Sequence, residues 1–310
     1  MLAGNRAERR RNQLPDTRDY LRINKCLRSR LTSALDKLAF GNMATPDKTT
    51  MKSPAESTSR GPASLLQRQP WLVFVLPFAV YMVVGSFEPT PETPGGQSIG
   101  LSIPYVYYPA VYGAKIGLTL LAMLAVLPGY RAFPLRVRPL SLVVGVVGVV
   151  VWVGLCRLDL EHRFLQPMLE GIGLDWLIGS GTRSAFNPFE QYPGQPAWAW
   201  GFLALRLLGL AAVVPVIEEL FLRGFVMRFV TDPNWPELPI GQVSRAAIVV
   251  GTLLPMLMHP GELLAAAVWF SMVTWLMLKT RSLWDCVAAH MTTNLLLGLY
   301  VLLSGDWRLM

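Results

Sequence analysis

Two adjacent carboxylates, Glu218 and Glu219, lie inside the apolar run VVPVIEELFLRGFVMRFV at residues 213–230. A charge at the centre of a bilayer costs ~2.5–3.5 kcal/mol on insertion scales, so ionisable residues in such a run are functional candidates. Arg223 follows Glu219 by four residues; at ~100° per residue the two share a helical face and can pair. Glu218 is turned roughly 100° from Glu219, which lets the two carboxylates serve different partners. An interfacial helix end, with a solvated acidic pair and a snorkelling Arg223, would carry the same letters. The histidines shift that balance. His259 closes the apolar stretch GTLLPMLMHP, and His290 sits in WDCVAAHMTTNLLLGLYVL with Asn294 four residues on. A glutamate with a histidine can activate water as a general base. A histidine with an asparagine can donate to the oxyanion of a tetrahedral intermediate. That is equipment for hydrolysing an amide inside a membrane-embedded cavity.

Other chemistries fit parts of the same set. Glu218, His259 and His290 make a plausible three-ligand site for zinc or another divalent metal, with a position left for water. No HExxH motif enforces that site, and no other cofactor is implied. Cys286 precedes His290 by four residues and would share its face as a nucleophile, although a buried free cysteine is more often a packing residue. Ser180, in Gly179-Ser180-Gly181, faintly suggests a serine nucleophile but has no histidine near it in sequence. Intramembrane Glu, Arg and His also serve transporters and silent scaffolds, and Arg206 is a charge that hydrolysis leaves unexplained.

The elements that must hold these residues are read from composition. Of 310 residues, 52% are hydrophobic and only 15% charged, where a soluble domain carries about 25%. Mean hydropathy is +0.39. A disordered regulator, a disulfide-stapled module and an ordinary cytosolic enzyme are excluded, and the fold expected is an all-α, polytopic membrane helix bundle. Apolar segments at Trp71–Phe87, Ile103–Leu127, Leu140–Cys156, Ala197–Ile217, Ala246–Met258, Leu263–Leu278 and Leu283–Leu303 predict about seven to eight transmembrane helices. The mixed stretch Phe164–Gly179 adds an amphipathic or re-entrant candidate. Cys26, Cys156 and Cys286 are too scattered for a zinc ribbon or a disulfide framework.

The net charge of +8 invites a nucleic-acid reading, but its location removes it. Residues 1–70 hold 14 Lys/Arg against 6 Asp/Glu, and the remainder holds 14 of each sign. The excess belongs to a basic, disordered tail at residues 1–69, within which Tyr20–Phe40 could lie on anionic lipid. The start, MLAGNRAERRRNQ, lacks the apolar core of a secretory signal, so entry is expected through the first span. Arg131, Arg136 and Arg138 in one short loop, with Lys279 and Arg281 in another, place those loops and the amino terminus in the cytoplasm. Three regions follow: the tail, amino-terminal helices with an external connection at 70–196, and the chemistry-bearing core at 197–303. The expected partners are the lipid bilayer and a membrane-associated protein or peptide.

The ordered set Glu218-Glu219-x-x-x-Arg223, His259 at the end of an apolar helix, and His290-x-x-x-Asn294 resembles the CAAX protease and bacteriocin-processing family of intramembrane proteases, also known by its abortive-infection domain. The resemblance covers roughly residues 197–303. The family's second motif is usually Phe-x-x-x-His, whereas this chain reads Pro255-Met-Leu-Met-His259. The additional amino-terminal spans resemble the CAAX-protease-related proteins that accompany bacterial exosortase systems. The resemblance implies an endopeptidase of a bacterial inner membrane, in which Glu218 and His259 polarise the attacking water. It implies that His290 and Asn294 stabilise the oxyanion while Glu219 and Arg223 hold the helix geometry. From the residues alone, either glutamate could be the base. The family has been described both as metalloprotease and as glutamate-dependent protease, so the zinc alternative stays open.

Overall fold

A computed structural model describes residues 62–89, 97–98, 101–174 and 186–309. Residues 1–61 of the basic tail, with the Tyr20–Phe40 stretch, and Ser180 lie outside the described residues, as do residues 175–179 of the re-entrant candidate. The end of the tail is described and forms a short helix at Pro62–Arg68. The described chain is helical apart from a two-residue antiparallel pair, Gln97–Ser98 with Leu101–Ser102. We label the apolar helices α1 Leu72–Gly85, α2 Tyr108–Tyr130, α3 Pro139–Leu158, α4 Pro196–Thr231, α5 Arg245–Leu257, α6 Leu263–Thr280 and α7 Leu283–Ser304. Five of them, all but α1 and α5, are long and apolar enough to cross a membrane. At 1.5 Å per residue α1 and α5 reach only about 20 Å, short of a hydrocarbon core of about 30 Å. The chain is an integral membrane protein.

The faces of these helices are distributed as a bilayer demands. Leu118, Leu121 and Leu124 on α2, and Val143, Val147 and Val150 on α3, point outward at helical spacing, while Lys115, Thr119 and Ser141 are buried. Helices in lipid gain association from close packing and hydrogen bonds rather than from burying apolar surface. Accordingly, α3 crosses α6 and α7 at two glycines. A Cβ on Gly145 would meet the Ala289 carbonyl and Thr292, and one on Gly148 would meet Trp269 and Thr293.

Helix ends explain where the chain turns. Proline opens both α3 and α4, where the missing N–H costs nothing. Ser244 and Ser282 cap α5 and α7 by accepting from Ala247 N and Asp285 N. The long α4 is interrupted by two π-helical stretches, Gly209–Val213 and Leu220–Val226. Pro215 follows the first and cannot donate to the carbonyl four residues back, which supplies a local cause for the widening. Between the two stretches lie Glu218 and Glu219. The Phe164–Gly179 candidate is, over its described part, no membrane-length helix. It joins a π-helical turn at Glu161–Leu165 to a short helix at Gln166–Glu170.

Candidate active site

Four of the residues singled out by chemistry line one cavity of about 160 Å³: Glu218, His259, His290 and Asn294. They come from α4, from the turn after α5, and from α7. The shortness of α5 is what admits His259. Its ring meets Trp152 edge-on, with centroids 5.8 Å apart, and Trp152 lies six residues, or about 9 Å, inside the end of α3. Thirteen residues of α5 carry the chain about 20 Å before this turn, and Glu218 lies the same thirteen residues from the end of α4 at Thr231, so the two reach a similar depth.

Glu219 and Arg223 are both fully buried, and Arg223 Nη1 lies 3.2 Å from the Glu219 carboxylate. The guanidinium also donates to the Phe270 carbonyl at 3.3 Å and stands over the Phe270 ring. Glu219 Oε1 is 3.0 Å from His290 Nδ1. A guanidinium and an imidazole therefore converge on Glu219, and its carboxylate is a structural anchor for the imidazole. Glu218 differs. It is 7% exposed, faces the cavity, and forms no hydrogen bond or ion pair with any described residue. The ambiguity between the two glutamates in sequence is thus a difference of environment in three dimensions.

In both histidines Nδ1 is engaged by the protein. His259 Nδ1 lies 2.8 Å from the Pro255 carbonyl, which selects the tautomer with a proton on Nδ1. His290 Nδ1 faces Glu219, and this carboxylate can hold an imidazolium as well as a neutral ring. Asn294 Nδ2 donates to the Leu210 carbonyl at 2.9 Å, in the first π stretch of α4. Its second amide N–H remains for a ligand. The departure at Pro255 is made good in space: Trp152 and Phe270 pack against His259, with the Phe270 centroid 5.6 Å away.

The remaining candidates sort plainly. Cys286 is fully buried, its thiol directed at the Val273 and Ser282 carbonyls, and it does not line the cavity. Arg206 donates to the Phe186 carbonyl at 2.9 Å and lies over the Tyr108 ring, tying α4 to the preceding connection. Among the described residues no three His, Cys, Asp or Glu side chains gather closely enough to hold a metal ion. Glu218, His259 and His290 share the cavity without forming that group. Sequence reasoning missed Tyr81 of α1, which lines the same cavity, and Lys115, which is buried behind it. The signal for Lys115 was available as a lone cation in the run Ile103–Leu127, while nothing distinguished Tyr81 from other aromatics.

Residues 199–296 match the family model of Type II CAAX prenyl endopeptidase Rce1-like proteins. No curated protein and no solved structure matches the chain.

Proposed function

Since residues 199–296 match a CAAX prenyl endopeptidase family model, we propose that this chain hydrolyses a peptide bond of a membrane-associated protein, with Glu218 as general base. The supporting observation is the division between the carboxylates: Glu219 is held by Arg223 and His290, and Glu218 alone is left to the cavity. Glu218 takes a proton from water, helped by a hydrogen bond to His259 Nε2, and the resulting hydroxide adds to the carbonyl carbon. His290 Nε2–H and the second N–H of Asn294 donate to the oxyanion. The protonated Glu218 then gives its proton to the leaving amine, the C–N bond breaks, and the carboxylate is regenerated. The name of the matched family suggests a prenylated carboxyl-terminal motif as one substrate class. The host membrane in this reading is a bacterial inner membrane with the amino terminus in the cytoplasm.

No step is routed through a metal, because the donor set as arranged does not form a ligand group. The test is cleavage of a lipidated peptide by purified protein in detergent, with Glu218→Gln alongside at matched folded amounts. Glu218→Gln keeps the shape and removes the base, so turnover is expected to fall by at least about 10²-fold, the lower end of general-base contributions. Exhaustive chelation is expected to spare the wild-type rate, with no stoichiometric zinc in the purified protein. Full activity in Glu218→Gln would end the assignment, and zinc-dependent reactivation of a chelated protein would replace it with the metallopeptidase version.

A further inference from the structure

A lysine is buried in the first third of α2, where an unpaired ammonium would be costly. Lys115 is 4% exposed. Its Nζ lies 2.6 Å from Glu88 Oε1, 4.4 Å from the centroid of the Tyr81 ring and 4.7 Å from that of Tyr112. Tyr81, Gly85 and Glu88 follow one another by four and three residues, so α1 and its exit turn offer them on one side. Gly85 lies beside the lysine: a Cβ there would stand 3.4 Å from the Lys115 side chain, in ordinary van der Waals contact.

Tyr81 is the link between this cluster and the chemistry. It lines the cavity with Glu218, His259, His290 and Asn294, and Glu218 and Glu88 both lie within electrostatic reach of it. No described residue takes a hydrogen bond from its hydroxyl. A purely architectural role, tying α1 to α2 through the cation, would be met as well by phenylalanine. The ring face attracts the ammonium in either case, and phenylalanine has no hydroxyl to strip of water. The phenol is explained if a ligand group in the cavity accepts from it.

We propose that Tyr81 is a catalytic hydrogen-bond donor contributed from outside the family-matched segment, and that Lys115 and Glu88 are its positioning residues. The proposal rests on the endopeptidase reading. The Tyr81 O–H donates to the oxygen of the scissile carbonyl, and that bond strengthens as the oxygen takes up negative charge. The proton stays on the phenol, so no further bond is made or broken. The ammonium over the ring withdraws electron density and makes the O–H a better donor, while Glu88 fixes the ammonium.

The experiment compares wild type, Tyr81→Phe, Lys115→Met and the double variant in the full-length, detergent-purified protein, reading kcat, KM and melting temperature. Tyr81→Phe is expected to lower kcat by about 10²-fold, as loss of an oxyanion donor does, with KM and melting temperature nearly unchanged. Lys115→Met is expected to lower kcat less, and to add no further loss in the Tyr81→Phe background, because it acts through the phenol. Should Lys115→Met fail to fold, Glu88→Gln takes its place in the cycle. An active wild type with an equally active Tyr81→Phe overturns this inference and leaves the endopeptidase intact. Equal losses for the lysine variant in both backgrounds overturn the positioning role. A wild type that cleaves no lipidated peptide overturns the endopeptidase reading and this inference with it.

Discussion

At the scale of single residues, the cavity is set by what surrounds each carboxylate. Glu219 is fully buried, with the Arg223 guanidinium and the His290 imidazole against its carboxylate from two sides. Removing one partner of such a pair leaves the other charge uncompensated, which costs about 3–5 kcal/mol in buried settings. Glu219→Gln is therefore expected to destabilise the bundle by that order. The measurement is denaturant unfolding in mild detergent. Some activity should survive in the molecules that remain folded, since the amide oxygen can still accept from His290 Nδ1. A variant as stable as wild type would show that Glu219 is not the anchor. Glu218 is buried but has no such partners to lose, so Glu218→Gln, which removes a carboxylate that must be desolvated, should leave the unfolding midpoint no lower than that of wild type.

At the scale of elements, the cavity depends on how closely α3 approaches α6 and α7. Gly148 admits the Trp269 ring and the Thr293 hydroxyl, both of them cavity-lining residues, and Gly145 admits the Ala289 carbonyl. Gly148→Ala gains helix propensity but forces this contact apart, and overpacking of this kind costs about 1–3 kcal/mol. The expected outcome is a lower unfolding midpoint together with reduced turnover, because the displaced Trp269 forms the cavity wall. Unchanged turnover per folded molecule, despite the stability loss, would mean that α3 does not set the wall. The helices themselves were legible from apolar runs, since period and length are local properties of the chain. Depth was not. The run at Ala197–Ile217 belongs to a helix continuing to Thr231, and α1 and α5 stop short of membrane length. Where a helix ends inside the bundle depends on turns such as Met258–Glu262 and on partners such as Glu161, which accepts from Leu264 N at 2.6 Å across a gap of 103 residues. For the same reason Glu218, His259, His290 and Asn294 could be picked by residue type, whereas Tyr81 joins them only through tertiary packing.

At the scale of the whole molecule, charge separates between the two ends of the bundle. The α2–α3 connection and the start of α7 are bound together. Arg138 meets Asp285 through both its backbone N and its guanidinium, Ser282 donates to the Arg136 carbonyl, and Trp284 donates to the Phe133 carbonyl. Arg131, Arg136, Arg138, Lys279 and Arg281 thus belong to one end. The opposite ends of α3, α6 and α7 bring Asp159, Glu161, Glu262 and Asp306 around one recess, with Arg157 and Arg308 among them. Arginine and lysine in short connections resist translocation whereas acidic residues hardly matter, so the basic end should remain in the cytoplasm. The test replaces Cys26, Cys156 and Cys286 with serine and then introduces a single cysteine, either Lys279→Cys or Glu190→Cys. A membrane-impermeant maleimide added to intact bacterial spheroplasts is expected to label the Glu190→Cys protein and to spare Lys279→Cys until the membrane is opened. Retained folding of each variant is checked by its melting temperature, so that labelling reports position and not collapse. The reverse pattern would invert the molecule. It would put the recess between α3, α6 and α7 on the cytoplasmic side, and a substrate's polar segment would then have to approach the cavity from there.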